Sequence, residues 1–350
     1  MNGIRLAVED ADPEGLPPLD TVLILEADNR SGPALEAAEF LTDISGLVAV
    51  IGHSNSTASL ATSQVYNRAQ VVQIAPSATA PIYSEAGAYS FRMVPPDEVQ
   101  ARLLAGVLRD SVPTGGRVAL FYVNDDYGRN LRALVLAELA TEPLEVVVDL
   151  PHAEGDIHPV DVRHHLAALV ASNPDVILWL GRVPVLHALL PGIRQGLGSI
   201  AIYGGDGVSP ASLATDFRWF WDGVRFVEFV DLEATPELRG FAQRFQTRFG
   251  TAAGGREVLS YDAAGVILEA LRQGARNGDE VRQFLAELGV SRPPHPGISG
   301  PIAFQENGDA ARNLVLGVIR VPPEEGNPPA HPPDPPGKPP GSSSLQDPGQ

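Results

Sequence analysis

Residues Gly46–Pro81 read GLVAVIGHSNSTASLATSQVYNRAQVVQIAPSATAP, and this stretch parses as strand, turn, helix, strand, turn. Leu47–Ile51 is an unbroken apolar run, the pattern of a strand buried on both faces of a parallel sheet. Gly52 ends it, and His53-Ser54-Asn55-Ser56-Thr57 places small hydroxyl and amide groups where a helix begins. Such groups cap the free N–H donors of a first turn. Val71–Ala75 reads as a second buried strand, stopped by Pro76 and followed by Ser77-Ala78-Thr79. In a parallel sheet both turns emerge at the same edge. Hydroxyls and backbone N–H groups then converge on one crevice that suits a carboxylate or another anion. Taken alone, Ser56 is equally well explained as a helix cap.

The order and spacing of these segments resemble the leucine/isoleucine/valine-binding family of type I periplasmic binding proteins, the solute receptors of ABC importers. The similarity runs over nearly all of residues 2–321. In that family the two hydroxyl-bearing turns hold the α-carboxylate of an amino-acid ligand, which by position implies Ser56, Ser77 and Thr79 here. The resemblance implies an α/β fold of two doubly wound, Rossmann-like lobes joined by three crossings, with the ligand cleft between them. It places residues 1–93 and 229–312 in lobe 1, and residues 94–228 and 313–321 in lobe 2. It also implies a periplasmic or extracytoplasmic location.

Moving outward, Asn2–Glu9 reads as an amphipathic helix directly after Met1, without the basic head, apolar middle and cleavage site of a signal peptide. In the family a strand with a ligand-facing loop precedes this helix. This first strand is missing here: either the natural start lies upstream, or the protein is divergent and lacks the element, and the first is favoured because losing a central strand would expose paired sheet edges. Asp10–Pro18 is loop-like, Val22–Glu26 reads as a strand and Pro33–Thr42 as a helix.

Beyond the opening stretch, Tyr89–Pro95 is extended and apolar and suits a first crossing between lobes. Gln100–Leu108 is helical and Arg117–Tyr122 a buried strand. Asn124–Arg129 is a polar turn opening a helix over Asn130–Leu139. It matches the family's Asp-x-x-Tyr-Gly turn, whose ring packs over the ligand, so Tyr127 is the implied contact from lobe 2; otherwise it simply covers the turn. Val146–Leu150 and Val176–Leu180 are further strands around a helix over Val162–Ser172, whose His164 and His165 read as surface residues rather than metal ligands. Arg182 follows the Val176 strand at the cleft edge, where family members selecting branched side chains carry an aromatic residue. A guanidinium there can pair with a carboxylate or phosphate, or turn outward to solvent. After the strand Ile200–Tyr203, Asp206 occupies the family's ammonium-binding position; Asp before Gly is also a common turn former.

Val224–Val230 is expected to return the chain to lobe 1, with helices over Glu237–Phe249 and Ser260–Asn277. Gly300–Asp309 resembles the family's closing hairpin, and Val315–Val321 reads as a last strand and third crossing. From Pro322 a Pro/Gly/Ser-rich tail to Gln350 has too little apolar content to fold.

Composition narrows the function. A length of 350 residues suits two lobes, and the formal charge of −18 with no basic cluster argues against nucleic acid. Cysteine is absent, and the single lysine, Lys338, lies in the tail outside any phosphate-binding loop. The reading is a non-catalytic solute-binding protein with no cofactor or metal. It takes an amino acid or related small carboxylate by hinge closure, with an ABC permease or a sensor subunit as partner. Two alternatives stand beside it. One is a ligand-sensing regulatory domain of the same fold. The other is a serine hydrolase using Ser54 in the near-elbow Gly52-His53-Ser54-Asn55-Ser56, with Asp206 and His295 completing a triad order.

Overall fold

The computed structural model describes residues 1–11, 30–155, 157–209, 211, 213 and 218–321. Its first sheet is parallel throughout, in the order β1 (Ala49–Ile51), β2 (Val72–Ala75), β3 (Ser90–Arg92). Helix α1 (Asn2–Asp10) packs on α8 (Pro236–Phe249) and α9 (Gly255–Arg272), and α2 (Ser31–Thr42) packs on α3 (Ser56–Arg68). α3, α9 and α10 (Gly278–Glu287) close on the strands themselves. One apolar core joins β2, β3 and these later helices through Ile74, Met93, Phe241, Val258 and Phe284.

The second sheet has six strands in the order β11-β8-β7-β6-β4-β5. These are β4 (Gly116–Val123), β5 (Leu144–His152), β6 (Val176–Leu180), β7 (Ala201–Gly204), β8 (Arg225–Glu228) and β11 (Val315–Val318). Side chains along a strand alternate between faces, so an all-apolar strand must feed two cores. The run Val-Ile-Leu-Trp-Leu of β6 does this. Ile177 and Trp179 enter a core with α7 (Val183–Leu197). Val176, Leu178 and Leu180 enter another with α4 (Asp97–Ser111) and α5 (Asp126–Leu139). Helix α6 (Pro159–Ser172) joins α7 on its side.

Several expectations are corrected. Leu47–Ile51 is only half-buried, because among the described strands β1 has a neighbour on one side only. Tyr89–Pro95 is not simply a crossing: Ser90–Arg92 pairs with β2 as a sheet strand, and the chain leaves after it. Val224–Val230 does carry the return: β8 lies in the second sheet between β7 and β11, and Phe229 and Val230 right after it enter the core of the first. The final strand stops at Val318 and runs antiparallel, so this sheet is mixed. His165 is buried rather than on the surface: its ring nitrogens meet the carbonyls of Asp161 and Pro151, 2.6 and 3.1 Å away. The expected helix Ser260–Asn277 starts earlier and stops sooner, as α9 ends at Arg272; Gly274, with φ +102°, lies in the turn before α10 begins at Gly278. Val22–Glu26, most of the Asp10–Pro18 loop and the tail from Pro322 lie outside the described residues.

The hairpin of β9 (His295–Gly297) and β10 (Gly300–Ile302) starts before the expected Gly300–Asp309 one, and the chain beyond it, turning back at a Phe304–Ala310 bridge, pairs alongside β3. Arg92 N–H donates to Gly308 O at 3.0 Å, and Ala310 N–H to Arg92 O at 3.1 Å. Gly308 has φ +81°, and a Cβ there would stand 2.2 Å from Ser90 O, so this close pairing requires glycine. The side chains complete the join. Arg92, with 0% exposure, donates from Nε to Asp309 Oδ1 at 2.6 Å and from Nη2 to Asp309 Oδ2 at 2.9 Å. Removing one member of such a pair strands a buried charge. We therefore expect Asp309→Ala to lower unfolding free energy by about 3–5 kcal/mol in chemical denaturation, and an apolar double replacement of Arg92 and Asp309 to recover much of that loss.

Candidate functional site

The hydroxyls of the opening stretch gather where α3 begins. Asn55, not Ser56, caps that helix, its Oδ1 accepting Ala58 N–H at 2.8 Å. Ser56 is thereby freed from capping, and its buried hydroxyl reaches the turn after β2, accepting Ala80 N–H at 3.2 Å. Ser77 donates to Ser54 O at 2.9 Å, tying the two turns together. Thr79 Oγ1 is buried without a hydrogen-bond partner, while its carbonyl accepts the N–H of Asp97 at 2.9 Å.

The facing wall comes from the carboxyl ends of β4, β6 and β7. Asp125 caps α5 by accepting Gly128 N–H at 2.9 Å, which sets Tyr127 into the first turn with its ring buried. Gly207 N–H donates to the Tyr127 hydroxyl at 3.3 Å. Asp206 is clasped by Gln100: its Oδ1 accepts Nε2 at 2.9 Å and its N–H donates to Oε1 at 2.7 Å. Gln100 Nε2 also donates to Asp97 Oδ1 at 3.0 Å, so one amide bridges two buried carboxyl groups. The turn needs its glycines: a Cβ on Gly205 would lie 2.6 Å from the Tyr127 hydroxyl, and one on Gly207 would lie 2.4 Å from Gly181 O.

The two walls meet. Asp126 N–H donates to Thr57 Oγ1 at 3.4 Å, bringing the N-termini of α3 and α5 face to face. Arg256 of α9 reaches Asp206, donating from Nη2 to its carbonyl at 3.0 Å. Ser56, Ser77, Thr79, Tyr127 and Asp206 are therefore grouped by direct contacts or through Asp97 and Gln100. Arg182 is less central: its Nη2 donates to Asp125 Oδ2 at 2.6 Å, its Nη1 lies 3.4 Å from Glu154, and its guanidinium covers the Tyr127 ring at 5.7 Å. The elements of a hydrolytic triad are dispersed, since Asp206 engages Gln100 and Arg256, whereas His295 sits on the hairpin near Asp262 and Glu269.

Electrostatics follow from burial. Asp97 is held well above the usual carboxylate range by loss of solvent and by the like charge of Asp206. The nearby Thr79 hydroxyl, and after it Gln100 and Arg92, oppose this, although the hydroxyl does not meet hydrogen-bond geometry. Burial, reinforced by Asp206 and Asp97, also raises the Tyr127 phenol well above its ordinary value. Glu228, at the end of β8, is pushed up to about 7 by burial; the Phe229 N–H and Arg256 act against that, while Asp206 and Glu257 add to it. His53 is lowered to about 4 by burial, so the imidazole at the foot of the first turn is neutral at physiological pH. Sequence reasoning missed Asp97, Gln100, Glu228 and Arg256. Each lies outside the turns that carry recognisable spacing, and Asp97 after Pro95-Pro96 reads only as an acidic first turn.

The sequence profile of the periplasmic binding protein family matches residues 1–324. The chain belongs to that family. As a periplasmic binding protein it is a non-catalytic, solute-binding molecule with two α/β lobes. Among its relatives, an amino acid binding protein of Pseudomonas aeruginosa is 27% identical over 267 residues, covering 74% of this chain and 68% of the relative. A Leu/Ile/Val-binding protein homolog of Brucella suis is 24% identical over 318 residues, covering 88% and 82%. In fold, the branched-chain amino acid transporter substrate binding protein LivJ of Streptococcus pneumoniae, solved with isoleucine, superposes with a TM-score of 0.78 at 20% identity, covering 91% of this chain and 90% of the other.

Two expectations follow for this binding protein. Gly205→Ala drives a methyl into the Tyr127 hydroxyl and should displace the Asp206 turn, costing about 1–3 kcal/mol of stability in thermal or urea unfolding. For Glu228, a folded-state value above the unfolded one means that the native state binds more protons between the two. Stability should therefore fall as pH rises from about 4.5 to about 7 and level off above, by at most ~3 kcal/mol from this group. Asp97 acts in the same direction. Glu228→Gln should flatten that slope in urea denaturation followed across pH.

Proposed function

We propose that the protein captures an amino acid or a related small carboxylate by closure of its two lobes and delivers it to an ABC permease in an extracytoplasmic compartment. The hinge divides residues 1–93 and 229–312 from residues 94–228 and 313–321, with the ligand held between Ser56, Ser77 and Thr79 on one side and Tyr127 and Asp206 on the other. Arg182 braces Tyr127 from behind. Membership of the family supports the capture of a solute. Among the described residues no helix is long and apolar enough to cross a membrane.

The observation that carries this reading is the buried Thr79 hydroxyl. Neither it nor the neighbouring Asp97 Oδ2 makes a hydrogen bond of ordinary geometry, and the next residue, Ala80, meets Ser56 at the start of α3. Unsatisfied buried polar groups cost about 1–3 kcal/mol each. A ligand carboxylate here would accept from the Thr79 hydroxyl, from a protonated Asp97 and from the N–H groups of the helix turn. The ligand stabilises the closed form only through contacts that both lobes must make together.

Ligand that binds only the native state raises its stability, by about 2.7 kcal/mol at a hundredfold excess over Kd. A thermal-shift screen over small carboxylates, amino acids included, should therefore reveal compounds that raise Tm by several degrees. Thr79→Val and Asp206→Ala should each abolish the shift. Retention by both variants at unchanged affinity would place the site elsewhere.

A further inference from the structure

Asp206 is already supplied with a cation. Arg256 Nη2 lies 3.7 Å from Asp206 Oδ2 besides its bond to the Asp206 carbonyl, while Oδ1 takes the Gln100 amide. Both carboxylate oxygens thus face donors supplied by the protein. Arg256 rides on α9, which packs against β1 of the first sheet, and Asp206 follows β7 of the second, so the pair spans the cleft. The other carboxyl near Arg256, Glu228, instead accepts the Phe229 N–H at 2.8 Å. Arg256 also acts on Glu228 through space, but Asp206 is the residue it contacts directly.

Charge counting then discriminates between ligands. On the wall of Ser56, Ser77 and Thr79 the Ser56 and Thr79 hydroxyls offer neutral donors, Ser77 being spent on Ser54 O, and the wall calls for one negative charge from the ligand. At the Asp206 carboxylate a cation is already in place before any ligand arrives. An α-ammonium group would bring a second cation to one carboxylate, or would displace Arg256, whose Nε is already buried without a partner. Either course leaves a poorly solvated charge, which is costly.

We propose that Arg256 is the specificity-determining residue of the cleft, standing where a ligand's α-ammonium would sit, so that the protein selects small organic acids that lack an α-amine. This rests on the carboxylate-binding reading above and narrows it.

The test uses the full chain and pairs of ligands that differ at the amine: leucine against α-ketoisocaproate, phenylalanine against phenylpyruvate, with benzoate as an aryl acid. Isothermal titration should show the acids without an amine binding at least about ten-fold more tightly than their amino-acid partners. Arg256→Ala should weaken the keto acids and strengthen the amino acids, reversing the order. Arg256→Lys, which keeps the cation, should preserve the wild-type order and serves as the control for a folded variant. Amino acids binding wild type as tightly as their keto acids would overturn the assignment of Arg256 while leaving carboxylate capture intact. If no carboxylate of either kind binds, the carboxylate reading falls, and this inference with it.

Discussion

A guanidinium with no exposed surface has to find all its partners within the protein, and Arg92 does so at the point where three parts of the chain meet. It closes β3, pairs twice with Asp309 of the segment after the hairpin, donates to the carbonyls of Ala78 and Ala80 at 3.3 and 3.0 Å, and reaches Ser84 Oγ at 2.5 Å. The two carbonyls flank Thr79. The turn that presents the binding hydroxyl is thereby held by residues more than two hundred positions downstream, and those in turn are held by Ser84 and Asn307 on Asp309 Oδ2. Charge-assisted, two-pronged hydrogen bonds are directional as well as strong, so the join sets geometry and not only stability. Partners this complete are what allow such a charge to stay buried at all.

The cleft follows a different electrostatic logic. Asp97, Asp206 and Glu228 crowd carboxyl groups into a region with little solvent, with Arg256 the cation reaching Asp206 across it. Burial pushes Glu228 up to about 7, so near neutral pH part of that charge is removed by protonation rather than by pairing, and it moves Asp97 in the same direction. A protonated carboxyl is also a donor, which alters what the site can hold. Gln100 completes the arrangement by giving one N–H to each of two acids and receiving the Asp206 N–H in return.

Much of the architecture is legible one segment at a time. Val-Ile-Leu-Trp-Leu announces a strand buried on both faces, and the hydroxyl-rich turns after Ile51 and Ala75 mark helix starts and loops at one sheet edge. Errors arise where pairing decides. Leu47–Ile51 has the composition of a central strand, yet its burial depends on what lies alongside. Within the site, Ser56 and Asn55 are interchangeable as caps on paper, and only the approach of Ala80 shows which hydroxyl turns inward. Arg182 and Arg256 are both lone arginines. The first is claimed by Asp125 beside it, and the second is delivered to Asp206 by a helix from the other sheet.

By itself, then, the order of residues determined the strand-helix alternation, the hydroxyl turns and the acid after β7, because these depend on local periodicity, capping and turn chemistry. Folding in three dimensions decided which of those groups keep an unsatisfied hydrogen bond, which carboxyl groups stay protonated and which arginine reaches Asp206. Those properties depend on solvent exclusion and on distances between residues far apart in the chain, and neither is encoded in any single segment.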